Sequence, residues 1–576
     1  MSDTRPGRWD ITGLAGRPGG KKYEAELAAL QKEAASIGRS RSRLEGGGAA
    51  AANRMLRRLD RLEADSGRVL SAASLAYAAD TQSDSAAALL SRASRIGAGI
   101  TNMTLFFEVW WKRAGAGRAR QVMAGAGELR PYLERERRTA RFMLSEDVEK
   151  AVNTLGPTGT SALVRLYDRL TGAYTYRVPG TKRRGTREEV SAFVKDASSR
   201  RRRAAYGEIL GTFSRNEGAN GDIYRNVVLA WSDEHMGMRG HASPISVRNS
   251  ANDLEDGTVR ALLRACREGA PVFGRYFAAK ARALGSGTLD RRDLYAPLSR
   301  KRARIPYGRA VRAVLDSISG FSPRLGAMAG RVFEERRVDA EPRAGKRDGA
   351  FCASPAPGIT PFILMSYGGT VRDAFTLAHE MGHAVHAVAA SSQPALLHDA
   401  PLPLAETAST FSELLLAGHL GGQGAAAAAE RLDDMYATIQ RQAFFTMFEE
   451  EAHGMVPGGA TTPEISRAYL AGLRRQFGRR VAVPGIFAHE WSSIPHFFHS
   501  PFYCYAYSFG NLLALALYGR YEREGPGFAA TYEQILGAGG SVKPEDLLAA
   551  HGFDAGSVNF WKEGFRQVSS LAREVK

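Results

Sequence analysis

Cysteine is scarce: Cys266, Cys352 and Cys504 are the only three in 576 residues, far apart and in no CxxC pair. This excludes a disulfide framework and fits a reducing compartment, so a cytoplasmic location is expected. Long apolar runs are also missing. The most hydrophobic stretches, residues 100–111 and 512–518, fall short of the roughly 20 residues that span a bilayer. The first residues carry no apolar signal core, and no membrane association is expected. No internal repeat recurs at a fixed period. No RNP, KH or zinc-finger spacing occurs. That last absence matters because 78 Lys and Arg against 60 Asp and Glu leave a net charge of +18. The bases are mixed among acids, apart from the run Arg200 to Arg203. The expectation is therefore a solvated basic surface with no specific nucleic-acid partner.

What is present is mostly helix-forming. Lys21 to Ile37, Ala49 to Ala64 and Leu70 to Leu90 read as successive helices separated by Gly-containing breaks. Residues 171 to 179 are the one hairpin-like stretch of that region. The fold class expected is mainly α with a small β-sheet, divided as an amino-terminal helical region, 1–200, and a second domain, 201–576.

The most informative segment runs from Ala378 to Ala387, where His379 and His383 stand four apart with Glu380 beside the first. On a helix, i and i+4 share a face, so both imidazoles can reach one Zn²⁺ at about 2.0–2.1 Å. Glu380, about 100° round the helix, then stands where an attacking water would be. This is the HExxH arrangement of zinc hydrolases. Thr370 is a candidate cap for the helix, and Val371, Phe375, Leu377, Ala378 and Met381 give it an apolar face.

A catalytic zinc keeps three protein ligands. The HExxHxxGxxH solution fails because position 386 is His and position 389 is Ala. A new helix is expected just past Pro403, with Glu406 in its first turn and Glu413 seven residues on, hence on the same face. Two acids among Leu, Ala, Thr and Phe suggest a ligand backed by a carboxylate that orients a His. Upstream, residues 362–367 are short, apolar and followed by Gly368-Gly369, which reads as a strand. An edge strand beside a zinc site could pair with a peptide backbone. Downstream, His496, His499, Tyr503, Tyr505 and Tyr507 crowd one stretch. Peptide hydrolysis develops charge on the carbonyl oxygen, and His496 with one or two of these Tyr hydroxyls could donate to it. The same cluster could equally be core packing.

His379-Glu-Met-Gly-His383, 22 intervening residues and then Glu406-Thr-Ala-Ser-Thr resemble the M3 family of zinc oligopeptidases, most closely the oligoendopeptidase F branch. The likeness covers roughly residues 200 to 570, and the amino-terminal part only in helical style. The resemblance implies Glu406 as third ligand, Glu413 in support, and residues 345–352 and the 362–367 strand bordering the substrate. It also implies a zincin-type helical fold with a deep cleft, and maps the carbonyl-facing groups onto His496 and Tyr505, with Tyr503 as alternate. His499 has no clear role. The function expected is a zinc metalloendopeptidase, one Zn²⁺ per chain, cutting short unstructured oligopeptides with Glu380 as proton carrier. An HExxH carboxypeptidase or aminopeptidase is the nearest alternative, and a non-enzymatic basic binding protein a more distant one. Oligomeric state is left open.

Overall fold

The computed structural model describes residues 5–156, 158–299, 304–347, 349–421 and 424–575. The first four residues and Asp348, which fall in segments interpreted above, lie outside it. The fold is mainly α, 73% helical, as expected. Among the described residues the strands form one three-stranded and two two-stranded sheets.

The chain condenses into two compact units, each assembled from three segments. The first takes residues 1–143, 302–421 and 520–552, and the second takes 144–301, 422–519 and 553–576. Residue 200 lies inside a continuous stretch of the second unit, so the change in sequence texture there is not a boundary of compactness. Local periodicity reports helices, whereas these units are defined by distant segments returning to one another.

In the first unit, the helix Lys21–Arg39 matches its expected range closely. The next two differ. One helix runs unbroken over Ala49–Ala79, and the following one covers Asp84–Arg113, capped by the Ser83 hydroxyl accepting from the Ala86 N–H. The break expected near residue 67 therefore falls at 80–83. Gly67 is a contact residue: a Cβ there would lie 2.1 Å from the Pro355 carbonyl oxygen. Glycine at this position lets helix and loop touch backbone to backbone, and the helix continues. Leu27, Leu56, Leu75, Phe107 and Trp111 fill the core between these helices, which reaches Phe362 and Leu364. Trp9 packs on Phe351 and Phe362, with ring centroids 6.2 and 6.0 Å apart.

The strand expected over 362–367 forms at Phe362–Leu364. It is the middle strand of its sheet, parallel to Val338–Asp339 and antiparallel to Phe351–Ala353, with Cys352 opposite Ile363. The edge-strand reading is thus corrected: Phe362, Ile363 and Leu364 are each 0% exposed, as an uninterrupted apolar triplet must be when covered on all sides. The edges belong to Val338–Asp339 and Phe351–Ala353.

The second unit is built around the helices Glu217–Trp231, Asp256–Ala283, Arg441–Met455 and Val558–Ala572. The expected hairpin is a short pair, Tyr176–Arg177 with Arg184–Gly185. Among the described residues no helix is long and apolar enough to cross a membrane.

Candidate active site

His379, Glu380 and His383 lie on the helix Val371–Ala389 of the first unit. Its start is set by a capping box in which Thr370 accepts from the Asp373 N–H and Asp373 accepts in return from the Thr370 N–H. Glu406 lies on the helix Leu402–Leu420, which begins slightly earlier than expected, with Pro403 inside its first turn. There the missing proline N–H costs no hydrogen bond. The two helices touch through Gly382. A Cβ at Gly382 would fall 2.4 Å from the Ala408 carbonyl oxygen and 2.6 Å from the Ser409 Cα. Only a hydrogen fits between them, and this contact brings Glu406 beside the two histidines.

One ligand atom from each of His379, His383 and Glu406 lies within 4.8 Å of the others, and no other group of His, Cys, Asp and Glu does so among the described residues. The His379 Nε2 to Glu406 Oε2 distance is 3.8 Å. Ligands of a tetrahedral zinc would stand about 3.4 Å apart given metal bonds of about 2.1 Å, so this donor set fits such an ion after slight contraction. Glu413 is 2.6 Å from His379 Nδ1 through its Oε1. That contact favours a proton on Nδ1, so Nε2, which faces Glu406, is the nitrogen that would bind a metal. The supporting role expected of Glu413 therefore has a geometric basis.

The electrostatics follow from burial and from the crowd of carboxylates. Burial pushes the Glu380 carboxyl up to about 7, with His379 pulling it down and Glu406 and Glu413 adding to the rise. Burial likewise raises Glu406. For His379 burial acts downward, but the Glu413 hydrogen bond and the other carboxylates overcome it and carry the imidazole to about 9. Burial drives His383 down to about 3, next to the charge of His379. One carboxyl able to take or give a proton near neutrality therefore stands beside three side chains that could hold a metal ion. Cys352 of an edge strand is half-buried near Glu380, and desolvation together with the Glu380 charge raises the pKa of its thiol.

The downstream residues belong to the second unit. His496 opens the short helix His496–His499. Its ring stacks on Tyr503 at 5.7 Å and meets the edge of Tyr507 at 5.9 Å, and the two tyrosines are 5.3 Å apart. Tyr505 stands apart from this cluster: it is 0% exposed, and its hydroxyl accepts from Asn252 Nδ2 at 2.8 Å. His499 bonds Asp168 at 2.7 Å and abuts the Tyr167 ring, which accounts for it structurally. Tyr507 was not singled out from the sequence. The available signal was its i, i+4 relation to Tyr503, which places both on one side where the helix Tyr505–Glu524 begins.

Sequence comparison agrees with this arrangement. The profile described as Peptidase family M3 matches residues 324–567, a range that includes His379, His383, Glu406 and the aromatic segment, and one described as Oligopeptidase F matches residues 118–176. The chain resembles peptidase family M3 over residues 324–567. The chain is 28% identical over 349 residues to an oligoendopeptidase F homolog of Lactococcus lactis subsp. lactis, covering 59% of this chain and 58% of that one. It is 29% identical over 344 residues to oligopeptidase PepF of Bacillus subtilis, covering 57% and 51%. The chain thus spans only a little over half the length of these curated relatives. The crystal structure of oligoendopeptidase-F from Enterococcus faecium superposes with a TM-score of 0.72 at 20% identity, covering 96% of this chain and 98% of that one. That likeness shows a shared fold.

Proposed function

We propose that this chain is a zinc metalloendopeptidase that hydrolyses internal bonds of short, unstructured oligopeptides. The observation that carries the reading is the triad of His379, His383 and Glu406, with ligand atoms within 4.8 Å, beside a buried carboxyl poised near neutrality on Glu380. One zinc ion per chain, held by this triad, supplies Lewis acidity and lowers the pKa of water toward neutrality. Glu380 accepts the proton of the attacking water and delivers it to the leaving amine, a role its raised pKa suits. Glu413 keeps His379 in the liganding tautomer. His496 and Tyr503 donate to the oxygen of the scissile carbonyl as charge develops there. Tyr505, mapped to that role by resemblance, serves the core instead, because its hydroxyl is enclosed and bonded to Asn252. The unpaired thiols Cys266, Cys352 and Cys504 favour a reducing, cytoplasmic setting.

The test is digestion of a mixed pool of short peptides with blocked ends, with and without a chelator, the cuts being located by mass spectrometry. Internal, chelator-sensitive cuts support the reading. Cleavage that demands a free terminus would make the chain an exopeptidase, and undiminished cleavage without metal would refute the zinc mechanism.

A further inference from the structure

The turn that carries Tyr503 is strained. Phe502 has φ +59°, and the only other non-glycine residues with left-handed backbone among the described residues are Asp253 and Arg336. Aspartate tolerates this region through its short polar side chain, but a bulky aromatic residue does not, and the conformation costs about 1–3 kcal/mol. Something must hold it. The Phe502 N–H donates to Glu449 Oε1 at 2.7 Å, and Glu449 is only 1% exposed. One turn further along the same helix, the His453 ring lies 4.7 Å from the Phe502 ring. On the other side, Arg248 Nε donates to the Pro501 carbonyl at 3.2 Å. The reversal closes with the Tyr503 N–H on the Ser500 carbonyl, 3.1 Å. Its result is that Tyr503, which follows the short helix of His496, folds back so that the two rings stack.

We propose that Glu449 is a positioning residue, its carboxyl locking Phe502 in the left-handed turn that sets Tyr503 on His496. The inference rests on the assignment of His496 and Tyr503 to the scissile carbonyl. A buried carboxyl is costly even with the Arg248 charge acting on it, and Glu449 has no hydrogen bond on its second oxygen. Burial pushes it up to about 8, so near pH 7 the neutral acid is the resident form, and glutamine matches it in shape and in acceptor.

The experiment compares zinc-loaded wild type, E449Q, E449L, Y503F and the double variant E449L/Y503F on an internally quenched peptide with blocked ends. Zinc content, melting temperature and amide exchange at Phe502 are measured for each. E449L should lower kcat by about 10–100-fold with KM within about twofold, because a misplacement near 1 Å costs that much. Zinc content should be unchanged and the Phe502 amide should exchange faster. E449Q should keep most of kcat and protect that amide. The double variant should be no slower than Y503F alone, since both changes remove the same interaction. Should E449L fail to fold, E449D keeps the acid but draws it out of reach of the Phe502 N–H, and the same outcomes apply. If Y503F and H496A both turn over normally, the functional assignment falls and takes this inference with it. If Y503F is slow while E449L is normal, or if their effects multiply, or if exchange at Phe502 is unaltered in E449L, only the role of Glu449 is overturned.

Discussion

Replacing Gly382 by alanine tests whether a helix contact sets the metal site. The added methyl would sit 2.4 Å from the Ala408 carbonyl oxygen, 2.6 Å from the Ser409 Cα and 2.8 Å from the Ala408 carbonyl carbon. Ordinary contacts of this kind are about 3.5 Å, and the neighbour is mid-helix backbone that cannot swing aside, so the helices must part by about 1 Å. Overpacking of this kind costs about 1–3 kcal/mol, against about 1 kcal/mol gained from alanine in place of helical glycine. The net loss of fold stability is therefore modest. The metal site has far less tolerance, since ligand distances hold to about 0.2 Å. Glu406 would move with its helix away from the histidines, and zinc affinity should fall at least about 100-fold, the upper end of what loss of a supporting contact costs. Competition against a zinc chelator measures the affinity, and calorimetry of the metal-free protein measures the stability. Gly330→Ala is the control: it lies within the helix Pro323–Glu334 with nothing within 4 Å of its added methyl. That variant should gain about 0.5–1 kcal/mol and bind zinc as wild type does. If G382A binds zinc normally and is stabilised like the control, the close approach is not what places Glu406.

Glu380→Gln should keep zinc and lose turnover, which metal analysis and peptide hydrolysis distinguish. The carboxyl is raised to about 7, so in metal-free protein its stabilising contribution is full below its unfolded pKa near 4.5 and is lost as pH rises through 7. Denaturant titrations should show this loss, on the order of 3 kcal/mol, in wild type and not in E380Q. Glu406→Ala should lose metal outright, while Glu413→Gln should weaken binding by about 10–100-fold; full zinc and activity in the former would mean that the third ligand is misassigned. Tyr505→Phe should cost about 1–2 kcal/mol by orphaning Asn252 and leave kcat nearly intact, whereas Tyr503→Phe should lower kcat by about 10²–10³. The opposite pattern would return the oxyanion role to Tyr505.

The metal helix was legible because its information is short-range. The spacing of His379, Glu380 and His383 and the Thr370 cap need only one helix, and Glu406 and Glu413 share a face of the next one. What the sequence conceals is the identity of each element's neighbour. Gly67 reads as a break because nothing local announces Pro355 beside it. The strand at Phe362–Leu364 reads as an edge until Val338–Asp339 and Phe351–Ala353 are found on its two sides. The alternation Tyr503, Tyr505, Tyr507 hides which rings face His496, because a left-handed Phe502 and a helix start at Tyr505 both intervene.

The three-segment make-up of the first unit has a consequence for its synthesis. Trp9 and the helices before residue 143 share a core with Phe362 and Leu364, and the unit is complete only with residues 520–552. At about 5–20 residues per second, the ribosome needs about 20–80 s to pass from the end of the first segment to the end of the last. For about the first 10–45 s of that interval, until residue 364 is made, the amino-terminal helices stand without the strands that share their core, and the first two segments of the second unit emerge before the first unit is complete. The nascent chain therefore carries an open apolar face for tens of seconds, a natural target for a chaperone. Slowing translation between residues 143 and 302 should lower the soluble yield more than an equal pause after residue 552.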